Sequence, residues 1–244
     1  MIQFTVQLGG RCYGVTCRYP ATRDFCEPYL CNLIPEIDLV LAEKDIEFER
    51  IKAAREDEIE GIPPREYPDS YLETLALLRK VTEALLDFDT ILFHGSVIAV
   101  DGVAYLFTAK SGTGKSTHTR LWLDMLGDRA VMVNDDKPFL QITEENVVAC
   151  GSPWMGKHRL GSNIQVPLKA ICILERGETN EIWRIQPKEA VQMLLQQSSR
   201  PMDWRKFPKY LDLMDALSKR VEFYRLRCNM DPEAARIAYE AMSQ

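Results

Sequence analysis

The sequence predicts an α/β protein of the α+β kind, in which helices surround a mixed, largely antiparallel sheet. Two strand patterns, 96–100 and 103–108, flank an Asp-Gly turn and predict a hairpin. The second strand runs into a glycine-containing loop, 109–116, and then into a helical pattern, 117–126. Hydrophobic residues make up 46% and charged residues 27% of the chain, which is typical of a globular protein.

Length and charge limit the class of protein further. The 244 residues suit one large domain, or one domain with a small addition. Thirty basic residues against 36 acidic ones give a net charge of −6, which disfavours a protein that coats nucleic acid. No apolar run reaches the ~20 residues that a membrane span needs. We therefore expect a cytoplasmic protein whose partners include neither a membrane nor a nucleic acid.

The cysteines are predicted to be free thiols. There are seven, an odd number, in a chain that we expect to be cytoplasmic. The first four are Cys12, Cys17, Cys26 and Cys31. Their spacing, with no histidine nearby, fits no common zinc pattern. A metal site at these cysteines is therefore disfavoured.

The start of the chain has a strand pattern of its own. Residues 2–8 and 11–19 alternate in strand fashion around Gly9-Gly10, a two-residue hairpin turn. A third strand is predicted at 37–42. These strands form either a small separate sheet or an addition to the edge of the main one.

Two predicted helices separate these strands from the rest. Segment 43–60 is acidic, and its charge run is typical of a solvated helix face. An amphipathic helix follows over 69–87, with leucines at helical spacing. Beyond this helix the hydrophobic pattern changes from helical to strand-like, beginning with 96–100. We therefore predict an N-terminal hairpin and helical region, 1–88, and a second domain, 89–244, that carries the glycine-containing loop.

The second domain continues as a mixture of strands and helices. Strands are predicted at 130–133, 139–142, 147–150, 168–174 and 221–227, and helices at 187–198 and 206–219. Asp231 and Pro232 have the features of an N-cap and a first helical residue. They predict a closing helix.

Segment 111–116 (SGTGKS) is a candidate phosphate-binding loop. Its glycines let successive amide N–H groups point at one anion, and the next helix adds its positive N-terminal end. Lys115 supplies a charge for the β- and γ-phosphates, and Ser116 supplies a hydroxyl ligand for Mg²⁺. Ala109 stands where the full motif has its first glycine. The predicted nucleotide-binding residues here are Ser111, Gly112, Thr113, Gly114, Lys115, Ser116 and Thr117.

An acidic pair follows the next predicted strand. Asp135 and Asp136 close the apolar stretch 130–133, about 20 residues after Lys115. One carboxylate can hold Mg²⁺ together with Ser116, and the other can accept a proton from an attacking hydroxyl. The sequence leaves open which aspartate takes which role. The alternative is a turn or helix cap with no chemical role.

Histidines and further cations lie near these motifs. His94 opens the hairpin that leads into the loop, so it can either approach the acidic pair or make a structural hydrogen bond. His118 is interpreted as structural, or as lining a pocket for the base. The loop 151–163 carries Lys157 and Arg159 as further candidate nucleotide-binding residues, which could place a cation on the transferred phosphate. An ordinary solvated loop is the alternative.

Residues 93–136 together resemble the catalytic domain of HPr kinase/phosphorylase. The resemblance lies in His94-Gly95, the hairpin 96–108 that delivers the SGTGKS loop, and Asp135-Asp136 behind it. The SGTGKS tract is also similar to the phosphate loop of ATP-dependent phosphoenolpyruvate carboxykinase, which shares that fold. The resemblance implies a P-loop core of this type, with ATP and Mg²⁺ as cofactors.

The resemblance also implies roles for individual residues. Lys115 would contact the phosphates and Ser116 the metal, while Asp135 and Asp136 would be the metal and base pair, with His94 beside them. The implied activity is transfer of the ATP γ-phosphate to a hydroxyl of an unidentified protein, peptide or small molecule. The phosphorolysis motif of HPr kinase is not recognisable, because 171–177 offers only Glu175 and Arg176. Since relatives often form oligomers, a homo-oligomer is a further expectation.

Two other functions stay open at this stage. The first is a nucleotide-switched ATP-binding module or assembly factor that transfers no phosphate. The second, less favoured, is an enzyme like phosphoenolpyruvate carboxykinase, which would need further ligands for a transition metal and a larger substrate domain. A signalling GTPase is disfavoured because the chain has no Asn-Lys-x-Asp motif.

Overall fold

The computed structural model describes the whole chain, Met1–Gln244. The chain forms two compact units, a first unit over Met1–Ala84 and a second unit over Leu85–Gln244. The domain boundary predicted from the sequence lies a few residues later, after residue 88. None of the helices combines the length and the apolar character needed to cross a membrane.

The first unit contains a three-stranded sheet in the order β1-β2-β3. Its strands are β1 (Ile2–Leu8), β2 (Arg11–Cys17) and β3 (Ile37–Val40). Strands β1 and β2 pair antiparallel, and β3 pairs parallel with β2. Gly9 and Gly10 join the hairpin at φ angles of 56° and 77°, which suit glycine in a two-residue turn. The predicted hairpin is confirmed, and its strands form a separate small sheet.

Three helices complete the first unit: α1 (Pro20–Phe25), α2 (Glu43–Glu60) and α3 (Asp69–Leu85). Helix α2 is not the fully solvated acidic helix that we expect from its charge run. Asp45 and Glu49 are buried, and Arg79 of α3 pairs with both, at 3.2 Å and 2.5 Å. Because a buried carboxylate needs a charged or hydrogen-bonding partner, these ion pairs tie the two helices together.

The second unit alternates between strands and helices. Its strands are β4 (Thr90–Leu92), β5 (Ser96–Val100), β6 (Val103–Thr108), β7 (Ala130–Asn134), β8 (Phe139–Ile142), β9 (Val147–Cys150), β10 (Gln165–Arg176), β11 (Glu181–Arg184) and β12 (Glu222–Cys228). Its helices are α4 (Lys115–Leu126), α5 (Pro187–Gln197), α6 (Phe207–Arg220) and α7 (Pro232–Met242). The strands predicted at 96–100, 103–108, 139–142 and 147–150 are confirmed with the same bounds.

All of these strands belong to one sheet. Its main path is β4-β8-β9-β10-β6-β5-β7, with β12 beside β10 and β11 beside β12. Only the pairings of β10 with β6 and with β12 are parallel, and the other strand pairs are antiparallel. The start of β10 pairs with β9, and the rest pairs with β6 and β12. The predicted mixed, largely antiparallel sheet is confirmed.

Both faces of the central strands are buried. Along β6, Ala104 and Leu106 belong to one apolar cluster, whereas Tyr105 and Phe107 belong to another. Helices α5 and α6 contribute to the first cluster, and α4 and α7 to the second, where Trp122 is fully buried. Because successive side chains point to opposite faces of a strand, this division places helices on both faces of the sheet.

The structure differs from the sequence prediction at two places. First, it contains two short strands, β4 and β11, that the sequence does not predict. Each pairs with one neighbouring strand, and this pairing cannot be seen in the short segment itself. Second, Asp231 precedes α7 as predicted, but its side chain caps no helical N–H. Its carboxylate accepts from the Asn229 amide nitrogen instead, at 2.9 Å.

Glu73 gives the first testable prediction. Its buried carboxylate accepts hydrogen bonds from the Arg18 and Tyr19 amides, at 2.8 and 3.1 Å, and from the Thr22 hydroxyl, at 2.5 Å. The change Glu73→Ala leaves these donors unpaired, so we expect it to destabilise the first unit by about 3 kcal/mol. Faster amide hydrogen exchange in β1 and β2 would measure this. Glu58→Ala, at an exposed position of α2, is the control and should change exchange little.

His118 gives the second prediction, a pH dependence. Burial lowers the pKa of His118 to about 4, and its Nε2 accepts from the Trp122 indole N–H at 3.1 Å. An unfolded imidazole protonates near pH 6.5, so between these values the unfolded chain binds the extra proton. The free energy of unfolding should therefore fall as the pH drops from 6.5 to 4, by about 3 kcal/mol from this residue.

The four tryptophans report this unfolding, because all of them lie in the second unit. Urea titrations followed by tryptophan fluorescence at pH 7 and pH 4.5 would compare the native chain with His118→Gln. The glutamine keeps an acceptor for Trp122 but does not titrate, so its pH dependence should be smaller. His158→Gln, at an exposed position, should behave like the native chain. Equal pH dependence in all three proteins would contradict the prediction.

Candidate functional site

The order of three strands brings the predicted site residues to one edge of the sheet. Strand β5 lies between β6 and β7 and runs antiparallel to both. The start of β5 and the ends of β6 and β7 therefore share an edge. His94 precedes β5, the glycine-containing loop follows β6, and Asp135 follows β7.

A cleft of about 650 Å³ opens at this edge and is here called the first cleft. It is lined by His94, Ser111, Gly112, Gly114, Lys115, Ser116, Thr117, Asp135, Asp136, Met155, Gly156, Lys157 and His158. Most of the predicted site residues thus lie around one cavity. Thr113 and Arg159 are the predicted residues that do not line it.

The glycine loop, Ala109–Gly114, connects β6 directly to α4. Gly112 and Gly114 have φ angles of 75° and 121°, a region of backbone that side chains other than glycine disfavour. Helix α4 begins at Lys115, immediately after the second of these glycines. The first amides of this helix have no partner within the helix, so they are available to an anion at its start.

Lys115 is the cation of the first cleft nearest to the loop. Its ammonium donates to the Ala109 carbonyl at 3.3 Å, across the base of the loop. Burial lowers the pKa of Lys115, and the Asp136 carboxylate opposes this shift. The lysine is therefore a partly desolvated charge, for which an anionic ligand would be a favourable partner.

Arg176 supports the glycine loop from the neighbouring strand β10, a role that was not predicted from the sequence. Its guanidinium donates to the Gly112 carbonyl, and its Nε donates to the Thr113 carbonyl at 3.5 Å. The feature that would reveal this role is the parallel register of β10 and β6, which pairs Ile173 with Thr108. Three residues further along β10, Arg176 lies beside the loop. This register is a property of the sheet and not of either segment alone.

Asp136 is held by two cationic or polar neighbours. Its Oδ1 lies 3.2 Å from His94 Nε2, and its Oδ2 accepts from the Lys137 ammonium at 2.5 Å. Burial would raise the pKa of Asp136, but the hydrogen bond with His94 and the charge of Lys137 outweigh it and lower the pKa to about 2. Asp136 is therefore ionised at neutral pH.

Asp135 has the opposite environment. Its Oδ1 accepts from the Gly156 amide at 2.6 Å, whereas its buried Oδ2 has no hydrogen-bond partner. Burial raises the pKa of Asp135. Backbone hydrogen bonds, including the one from Gly156, oppose this increase, and the charge of Asp136 adds to it. A Cβ atom at Gly156 would stand 3.1 Å from Oδ2, so a residue with a side chain would crowd this carboxylate.

Asn134 holds the acidic pair in place and was also missed from the sequence. Its Oδ1 accepts from the amides of Asp136 and Lys137, at 2.8 and 2.6 Å. Its amide nitrogen donates to the Ser152 carbonyl at 2.9 Å and to the Ser152 hydroxyl at 3.1 Å. An Asn or Asp whose side chain accepts from backbone amides two or three residues later is a common turn former and can be recognised in sequence. The contact with Ser152 is long-range and cannot.

The cationic loop 151–163 contributes in part. Lys157 and His158 line the first cleft, and Gly156 contacts Asp135. Arg159 is exposed and has a φ angle of 49°. The structure thus places the lysine, but not the arginine, at the first cleft.

A second cleft of about 500 Å³ also borders the glycine loop. Its lining residues are Gly112, Thr113, Gly114, Thr117, His118, Leu121, Leu174, Arg176, Gly177, Cys228, Asn229 and Met230. Gly112, Gly114 and Thr117 line both clefts. His118 Nδ1 is buried and has no hydrogen-bond partner, and because Nε2 accepts from Trp122, the neutral imidazole carries its proton on Nδ1.

The predicted metal ligands Ser116, Asp135 and Asp136 all line the first cleft, together with the hydroxyl-bearing Ser111 and Thr117. The chain has no group of three or more His, Cys, Asp or Glu residues that could enclose a metal ion. The unpartnered Asp135 Oδ2 and the ionised Asp136 fit a hard cation that keeps several waters or phosphate oxygens as ligands. They do not fit a site that supplies every ligand from the protein.

The solved structures that match the chain include a kinase/phosphatase. The chain is similar to the Hpr(Ser) kinase/phosphatase from Coxiella burnetii, with a TM-score of 0.36 and 12% sequence identity. The match covers 63% of this chain and 99% of that chain. No curated protein matches the sequence. The resemblance to HPr kinase therefore rests on the sequence motifs around the glycine loop.

One family model also matches the sequence. It is described as SynChlorMet cassette protein ScmC, and its match covers residues 69–237. This match spans more than half of the chain and includes the glycine loop, the acidic pair and the cationic loop. The chain belongs to the ScmC family.

Proposed function

We propose that the second unit is an ATP-dependent, HPr kinase-like phosphotransferase, which moves the γ-phosphate to a hydroxyl of a protein, peptide or small molecule. One observation carries the proposal. Lys115, Ser116, Asp135 and Asp136 line the same cleft at the start of a helix. Phosphoryl transfer consists largely of positioning and charge stabilisation, and these residue types supply both.

The phosphates would bind at the glycine loop. The free amides at the start of α4 and the helix dipole favour an anion there. The Lys115 ammonium, now donating to the Ala109 carbonyl, would turn to the β- and γ-phosphates. Its partial desolvation favours this exchange, because a phosphate restores the stabilisation that burial removes.

Magnesium would be held by the Ser116 hydroxyl and the Asp136 carboxylate. Asp136 is the better ligand of the two aspartates, because its low pKa keeps it ionised. When bound, Mg²⁺ would neutralise part of the charge on the phosphates. His94, at 3.2 Å from Asp136, would keep the carboxylate oriented.

Asp135 would be the proton acceptor. Its raised pKa makes it the stronger base of the pair, and its Oδ2 has a free lone pair. As the oxygen of the substrate hydroxyl forms a bond to the γ-phosphorus, the hydroxyl proton would move to Asp135 Oδ2. The bond from the γ-phosphorus to ADP would break, and ADP would leave. Lys157, which lines the same cleft, would stabilise the charge on the transferred group.

The base of the nucleotide would occupy the second cleft. This cleft shares Gly112, Gly114 and Thr117 with the first, so a bound nucleotide could pass over the loop from one to the other. Its Leu121 and Leu174 offer apolar surface. Its His118 offers an N–H that lacks a partner.

A second candidate function is the nucleotide-switched binding module, which has one observation in its favour. Asp135 Oδ2 is buried beside Gly156, so an acceptor hydroxyl reaches it only if the loop around Gly156 moves. A chain that binds ATP without transferring phosphate would not need this movement.

The third prediction concerns the role of Lys115 in γ-phosphate transfer. Lys115→Ala removes the charge at the phosphates, and we expect γ-phosphate transfer to fall by at least about 100-fold. Lys110→Ala is the matched control, because Lys110 is exposed in the same loop and does not line the first cleft. It should transfer at close to the native rate. Equal transfer by the native chain and Lys115→Ala would contradict the proposal.

The substrate class follows from the same comparison. Mg·ATP labelled on the γ-phosphate is added to a cleared cell lysate with each of the three proteins. Label that moves to a peptide, a protein or a metabolite with the native chain and Lys110→Ala, but not with Lys115→Ala, supports the phosphotransferase. Bound ATP whose label stays in place, or reaches only inorganic phosphate, supports the binding module instead.

The fourth prediction separates the two aspartates. Asp135→Asn removes the base, so transfer should fall by roughly 10²–10⁴-fold while Mg·ATP still binds. Asp136→Asn removes a metal ligand, so the Mg²⁺ concentration for half-maximal ATP binding should rise by about tenfold or more. Calorimetric titrations and the transfer assay measure these effects. Asp124→Asn, exposed on α4, is the control. The reverse pattern would exchange the two roles.

A further inference from the structure

Two cysteines of the first unit lie in direct contact. The Sγ atoms of Cys12, in β2, and Cys31, in the segment before β3, are 3.2 Å apart. Both are thiols in the structure. Two sulfur atoms at this distance need only a small side-chain movement to reach the ~2.05 Å of a disulfide bond.

Backbone contacts hold each cysteine independently of the two sulfur atoms. The Cys31 amide donates to the Thr5 carbonyl at 3.0 Å, which fixes the segment to β1. The Cys12 carbonyl accepts from the Glu36 amide at 2.8 Å, and the Cys12 amide donates to the Glu36 carboxylate at 3.2 Å. The fold therefore presents the two thiols to each other, which raises their effective concentration well above that in an unfolded chain.

The two thiols differ in access to solvent. Cys12 is 4% exposed, whereas Cys31 is only partly buried. Burial, followed by the hydrogen bond with Cys31, raises the pKa of Cys12 to about 11. Cys31 is thus the thiol that an external reagent meets first, and Cys12 is placed behind it to react second.

We propose that Cys12 and Cys31 form a reversible disulfide, with a low-molecular-weight disulfide such as oxidised glutathione as oxidant. The Cys31 thiolate attacks one sulfur of the oxidant, which forms a mixed disulfide and releases one glutathione thiol. The Cys12 sulfur then attacks Cys31 Sγ and releases the second. One oxidant is reduced to two thiols, which take up the two cysteine protons. This site is independent of the phosphotransferase proposal.

The other cysteines of the first unit do not share this arrangement. Cys17 and Cys26 are fully buried, and the Cys17 thiol donates to the Tyr19 carbonyl at 3.4 Å. The chain has no group of three metal-ligating side chains here, so Cys12 and Cys31 do not form part of a metal site. The pair is therefore a thiol–disulfide site that closes a loop between two positions 19 residues apart, Cys12 and Cys31.

The fifth prediction concerns the whole chain, Met1–Gln244, in glutathione buffers of increasing oxidised fraction. Acid quenching and alkylation, followed by thiol counting in denaturant, should show a loss of two of the seven thiols that dithiothreitol reverses. Closing the loop should raise the unfolding temperature of the first unit by roughly 5 °C or more. Hydrogen exchange of β1 and β2 locates that change.

Peptide mapping identifies the pair. Trypsin releases residues 12–18 with Cys12 and Cys17, and residues 24–44 with Cys26 and Cys31. A cross-link between these peptides allows four pairings, so variants must separate them. We expect the cross-link to persist in Cys17→Ser and Cys26→Ser and to vanish in Cys31→Ser and Cys12→Ser.

Cys31→Ala is the second variant at the accessible position, should the serine disturb folding. Cys228→Ser, in the second unit and partly buried, is the matched control for an accessible thiol and should keep the cross-link. A cross-link that survives in Cys31→Ala, or one that is lost in Cys17→Ser, would overturn the assignment. So would an unchanged count of seven thiols in the most oxidising buffer.

Discussion

The antiparallel insertion of β5 between β6 and β7 is the constraint on which the candidate site depends. Strands β6 and β7 run in the same direction on either side of β5. Both therefore end at the edge of the sheet where β5 begins. The glycine loop and the acidic pair, about 20 residues apart in sequence, therefore face one cleft with His94. The Ser96 hydroxyl, which donates to the Asp135 carbonyl at 3.0 Å, closes this arrangement across the strands.

Two adjacent carboxylates acquire opposite proton affinities because the sheet edge gives them different neighbours. Asp136 faces His94 and Lys137, which favour its charged form. Asp135 is turned toward backbone and has one oxygen with no partner, so burial dominates. Asn134 makes this division possible, since its amide group fixes the turn that sends consecutive side chains into different surroundings. An environment that separates the pKa values of two carboxylates is the usual basis for distinct acid–base and ligand roles.

Local signals in the sequence predict much of the fold, and long-range ones are missed. The hairpin 96–108 can be predicted because its Asp-Gly turn consists of two adjacent residues. The end of helix 43–60 can be predicted because a glycine follows it, and this glycine adopts a φ angle of 68°. The burial of Glu49 is missed because its partner, Arg79, is 30 residues away. Arg176 is missed as a support of the glycine loop for the same reason, since only the sheet register brings it there. The residues around the first cleft could be predicted because their motifs are contiguous, while the atoms that orient them could not.

The candidate site also carries unfavourable terms that the fold alone does not explain. A buried polar atom without a partner costs about 1–3 kcal/mol, and Asp135 Oδ2 and His118 Nδ1 are two such atoms beside the two clefts. Lys115 adds the cost of a partly desolvated charge. Lys115 and the His118 N–H line two clefts that share the glycine loop, so a single elongated ligand with an anionic end and a hydrogen-bond acceptor could satisfy both. Asp135 Oδ2, which can only accept, would be satisfied by the hydroxyl that receives the phosphate. The proposed nucleotide is such a ligand, and its binding would convert the costs of the free protein into affinity, because groups already desolvated and oriented have less to lose when the ligand arrives.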